Sequence, residues 1–214
     1  MSFFINALFA SMFVGGLIPV IIGFASYHSL TPVKRLILAL MVCSLGLNII
    51  QITLALHSIP NLFIGHIYTL IEFILIAYIY KLKLDKLIPL SVFIAIVVGF
   101  VVFSLFNTFV IQGLHANNSY QRTLESVLVV VFVSLYFYKT AKELKVQRIE
   151  REPLFWFSAG ALLYFSGALF IFIFSNYLLL YSRSLGITFW TAHTFFLLLF
   201  YLFSTIALWI NPKK

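Results

Sequence analysis

Four ionisable side chains stand inside long apolar runs: His66, Glu72, Glu125 and His193. Charge is costly in hydrocarbon, and such residues face a bundle interior or a wet cavity, where they bind, relay protons or pair. Their spacing sorts them. His66 and Glu72 are about 240° apart around a helix and about 9 Å along it, so they cannot both reach one small ligand atom. Tyr68 and Glu72, at i and i+4, share a face, as do Asn48 and Gln51 at i and i+3. The expected binding cluster is therefore Tyr68, Glu72, Asn48, Gln51 and His193, with Glu125 and His66 as a tier above it. A Glu–His pair across helices would offset the cost of burying both groups.

The same residues test particular chemistries. A retinal Schiff base needs a lysine in the last helix, and every lysine lies elsewhere. An intramembrane zinc hydrolase would bring an Asp and a His pair at H-x-x-x-H spacing. No such pair exists, and the only Asp is Asp85. His66, His193, Glu72 and Glu125 are enough ligands for a metal on paper, but the opposed faces of His66 and Glu72 argue against one. A haem held between His66 and His193 is a weaker alternative. No nucleophile elbow, phosphate loop, C-x-x-C or strand-borne G-x-G-x-x-G is present. No catalytic residue and no cofactor is assigned.

The elements that position these groups follow from composition. Of the 214 residues 63% are hydrophobic and 9% charged, against roughly 25% charged in a soluble domain. So few charges cannot cover a water-soluble surface, and the composition equally excludes a disordered chain, a coiled coil and a nucleic-acid-binding domain. No Asp, Glu, Lys or Arg occurs before Lys34, from Leu36 through Ile71, from Leu87 through Gln121, from Pro153 through Ser182, or from Ser184 through Pro212. A crossing needs about 20 apolar residues, and the long second run breaks at His57-Ser58-Ile59-Pro60-Asn61. This predicts an all-α polytopic membrane protein, a single domain over 1–214. Its seven helices fall near 3–26, 35–57, 62–81, 87–111, 121–142, 154–179 and 186–210.

Basic residues near helix ends set the orientation. With the N-terminus outside and the C-terminus inside, all 14 Lys and Arg except Arg122 and Arg183 fall on the inner rim. Helix 1 has no basic n-region and is too long for a signal peptide, so it reads as a retained span. The larger polar groups then gather in the outer half, where Asn107, Thr108 and Asn176 also lie. Glu72 lies about 15 Å below the outer end of its helix and His193 about 10 Å. The inner half holds little beyond Ser44, Ser134 and Ser158. That asymmetry favours a cavity open to the outside over a continuous pore. Gly160-Ala161 and Ser166-Gly167-Ala168 read as a close helix approach. The basic stretch 139–152 serves topology first, and anionic lipid or a cytoplasmic partner second.

His66-Ile67-Tyr68-Thr69 with Glu72-Phe73, Thr123-Leu124-Glu125, Pro153-Leu154-Phe155-Trp156 leading to Tyr164-Phe165-Ser166-Gly167, and Trp190 with His193 ahead of Ala207-Leu208-Trp209 cover most of the chain. In this order they resemble a family of uncharacterised seven-helix bacterial inner-membrane proteins. The resemblance implies a bacterial inner-membrane location and a signalling role, and no ligand. The expectation is a membrane protein that takes a small molecule from the outer side and acts as a sensor. The alternatives are a small secondary transporter with Glu72 as the coupling carboxyl, and an oligomeric structural or effector protein whose buried polar groups only join helices.

Overall fold

The computed structural model describes residues 2–143, 148–181 and 183–210, with the side chains of 2–6, 9, 178–181 and 183 left out of the description. Helix boundaries follow the charge and the breakers. α1 spans Ser2–Ala25, α2 Pro32–Leu56 and α3 Leu62–Leu84. α4, Leu90–Phe106, runs on into a π-helical turn, Asn107–Ile111. α5 spans Ser119–Glu143, α6 Pro153–Tyr181 and α7 Arg183–Trp209. Pro32 opens α2 behind Thr31, whose hydroxyl accepts from the Lys34 amide, a Pro-at-N1 start with a threonine cap. α2 ends where Ser58 takes a positive φ of 57° ahead of Pro60. No strand occurs among the described residues. Six helices, α2 to α7, are long and apolar enough to cross a membrane, and the described apolar stretch of α1, Ala10–Ala25, is shorter. This is the make-up of a multi-pass membrane protein.

Six helices close a ring in the order α1–α2–α3–α5–α6–α7, with α7 returning to α1, while α4 lies outside against α3 and α5. At the end that carries the α1–α2, α3–α4 and α5–α6 connections, the interior is filled by rings. Tyr80, Phe132, Phe157 and Phe200 are buried there, and the Tyr80 hydroxyl meets Ser158 Oγ at 2.9 Å. Lys34 is not a free rim charge, because it is wholly buried and its Nζ donates to the Ile210 carbonyl at 2.9 Å. A cation there complements the negative end of α7. Lys139 lies 3.7 Å from Asp85 and 4.0 Å from Glu143. Within the 139–152 stretch, residues 144–147, and with them Lys145, lie outside the described residues, as do Lys213 and Lys214.

The opposite end is built differently. The α4–α5 connection sinks into the bundle instead of capping it. Asn118 Nδ2 donates to the Gly65 carbonyl at 2.9 Å and to Thr69 Oγ1 at 2.6 Å. The first residues of α5 therefore start one to two turns below the start of α3. Asn118 packs closely on Gly65, and a Cβ there would touch Asn118 Oδ1 at 3.4 Å. This depth shift places the site.

Candidate functional site

Because α5 begins low, its first turn carries Arg122 to the level of Glu72 in the middle of α3. Arg122 Nη1 donates to Glu72 Oε2 and, at 3.1 Å, to Glu125 Oε2. Tyr68, one helical turn from Glu72, donates its hydroxyl to Glu72 Oε1 at 2.8 Å. The guanidinium carbon sits 4.9 Å from the Tyr68 ring centre and 5.4 Å from that of Phe172. Both carboxylates are wholly buried. A planar guanidinium suits this work, since its fixed N–H fork serves carboxylates while its faces stack on rings.

Among the described residues, Arg122 is also the only charged group on the wall of a cavity of about 680 Å³. Asn48, Gln51, Tyr68, Tyr164 and His193 line it with Arg122. Apolar side chains such as Met12, Ile52, Trp190 and Leu197 supply much of the rest. His193 Nε2 lies 3.2 Å from the Tyr164 hydroxyl, and the Tyr201 hydroxyl meets Ser44 Oγ at 3.0 Å. Volume, apolar walls and a few convergent polar groups are the properties of a small-molecule site.

The residues expected from the sequence thus divide. Asn48, Gln51, Tyr68 and His193 share one cavity. Glu72 stands behind that wall, holding Arg122 in place. Glu125 joins Glu72 through Arg122 and does not form an upper tier with His66. The expected Glu–His pairing is absent among the described residues, because arginine takes both carboxylates.

His66 does not line the cavity. Its Nδ1 lies 2.8 Å from Thr108 Oγ1 and its Nε2 3.2 Å from the Ala116 carbonyl. The carbonyl can only accept, so Nε2 carries a proton. His66 therefore ties α3 to the π turn and to the sunken connection. His66→Ala should cost about 1–3 kcal/mol by orphaning those partners, read by denaturant unfolding in detergent. Binding of a probe in the cavity should be unchanged.

Asn176 also ties elements together. Its Oδ1 accepts from the Asn117 amide, and its Nδ2 donates to the Asn117 carbonyl and to Ser119 Oγ, each at 3.0 Å. Among the described residues no three His, Cys, Asp or Glu side chains converge on a metal position. A haem between His66 and His193 is also ruled out, since both His66 ring nitrogens are engaged away from the cavity.

Arg122, which the sequence places on the outer rim as a charge that sets topology, is the central residue of the site. Its i, i+3 spacing to Glu125 was the available signal. Comparison with known proteins returns no match among family models, curated proteins or solved structures.

Proposed function

We propose that this chain is a ligand-binding membrane protein of seven spans, with its N-terminus outside, that takes a small amphiphilic molecule into the outer half of the bundle in a sensory role. The bacterial inner membrane is its proposed location. The carrying observation is that Asn48, Gln51, Tyr68 and His193 line one cavity together with Arg122. An apolar wall with one guanidinium suits a molecule with a hydrocarbon body and an acidic head. The neutral amides and hydroxyls orient that head by hydrogen bonds. Among the described residues, the other half is filled by the buried rings of Tyr80, Phe132, Phe157 and Phe200, with few polar groups between them. That favours binding over transport.

The test uses decanoate and decanol below their micellar range, with the purified full chain. Decanoate should raise Tm more than decanol does. His193→Leu and Asn48→Leu should each weaken the decanoate response about tenfold, the equivalent of about 1.4 kcal/mol, without lowering Tm by more than a few degrees. Equal responses in the wild type and both variants would take these residues out of the site. Decanoate uptake into proteoliposomes would instead favour the transporter.

A further inference from the structure

Glu72 and Glu125 present four carboxylate oxygens. Glu72 Oε1 accepts from Tyr68, and Glu72 Oε2 and Glu125 Oε2 accept from Arg122. The fourth, Glu125 Oε1, is buried and has no donor. One turn earlier on the same helix, Gln121 Oε1 is buried and also has no donor. The Gln121 amide cannot be turned round to supply one. Its Nε2 already donates to the His66 carbonyl at 3.2 Å, and a carbonyl only accepts. Residues at i and i+4 are surface neighbours on a helix, so the two buried acceptors lie one turn apart on one face of α5.

Charge points the same way. With both carboxylates ionised, one guanidinium leaves a net −1 on two wholly buried side chains, where an unbalanced charge is expensive. The groups packed around it do not repair this. α3 brings Tyr68 and the Nε2-protonated His66, whose ring is engaged with Thr108 and Ala116 and also meets the Gln121 side chain. α6 brings Tyr164, which meets His193 of α7, and α7 adds Tyr201 on the cavity wall. α4, Leu90–Phe106, has no titratable side chain. Arg122 is the only cation paired with these carboxylates among the described residues.

We propose that Glu72, Arg122, Glu125 and Gln121 form a one-proton binding site, with the proton on Glu125 Oε1 and donated to Gln121 Oε1. That single hydrogen fills both empty acceptors and brings the cluster to neutrality. It also links the site to the cavity. An anion that draws Arg122 away from Glu72 strands the one carboxylate still ionised, which then takes a second proton into the cluster, so capture of an acidic head goes with proton uptake. This link rests on the proposed ligand pocket, whereas the proton site does not.

Infrared spectroscopy of the purified full chain at neutral pH reads the proton directly. The C=O stretch of a buried carboxylic acid should be present in the wild type. It should be lost in Glu125→Gln, and lost also in Glu72→Gln, where Arg122 faces a single carboxylate and no proton is needed. No such band in the wild type, or an undiminished band in Glu72→Gln, overturns the proposal. Stability gives a second reading. The native chain holds a proton that an unfolded carboxyl releases near pH 4.3, so Tm should fall as pH rises above that value. Glu125→Gln carries an amide N–H in place of the proton and should lose that slope. Identical slopes overturn the proposal, as does a wild-type Tm that tracks sodium concentration and not pH. The decanoate shift should grow as pH falls. A decanoate shift that is present but flat in pH overturns the link, and no decanoate shift at all removes the pocket while leaving the infrared result intact.

Discussion

Arg122→Gln is expected to destabilise the protein by about 3–5 kcal/mol, the usual cost of removing one partner from a buried ion pair. The loss comes less from the missing attraction than from what remains. Glu72 and Glu125, both wholly buried, would face each other with no cation between them. Tyr68 and Phe172 would also lose the flat group they enclose. Arg122→Lys should recover only part of the loss, because an ammonium is a point charge without the planar fork. The informative comparison is the triple variant Arg122→Gln, Glu72→Gln, Glu125→Gln. It removes every formal charge and should be more stable than the single variant, since amides of similar shape can bond one another. Unfolding in mixed micelles ranks the three. A single variant as stable as the triple would show that the carboxylates do not depend on the arginine.

Gly160→Ala should cost about 1–3 kcal/mol, the range for forcing an extra carbon into a packed contact. α6 and α7 make the most extensive helix contact in the bundle, and Gly160 lies within it. A Cβ at this position would stand 2.6 Å from the Cβ of Phe203 and 3.3 Å from its Cγ. A Cβ is carried by its own backbone and cannot swing aside, so the two helices would have to part. That would disturb Tyr164 and His193, which meet across the same pair of helices. Gly99, on the peripheral α4, has nothing within 4 Å of such a Cβ. Gly99→Ala should therefore be neutral or stabilising by up to about 1 kcal/mol, from helix propensity alone. Thermal unfolding of the two variants side by side checks the contrast. A similar Tm for both would remove the close approach as a source of stability.

Much of this was legible without coordinates, and particular residues show why. Charge-free runs and breakers together locate helices because both depend on the cost of burying charge or bare backbone, and the observed helices begin and end within a few residues of the ranges expected from them. Tyr68 and Glu72 do share a face and a hydrogen bond, and Asn48 and Gln51 do line one cavity, because i, i+3 and i, i+4 neighbours are set by helical geometry alone. The same geometry made His66 and Glu72 incompatible, and His66 does point elsewhere. Gly160 and Gly167 read as contact residues, and each faces a phenylalanine of α7.

The relative depth of helices is what local periodicity does not encode. Counting inward from a presumed surface put Glu125 near the outside and Arg122 on the rim. In the fold, Asn118 hooks the start of α5 onto Gly65 and Thr69 and lowers both residues to the level of Glu72. The sequence by itself therefore determined which segments are helical, which residues share a face and which half of the chain's apolar mass is interrupted by polar groups. Only the tertiary structure decided that one arginine, and no histidine, answers both buried glutamates. The vertical offset between α3 and α5 is fixed by long-range hydrogen bonds at a sunken loop, and no spacing within either helix carries it.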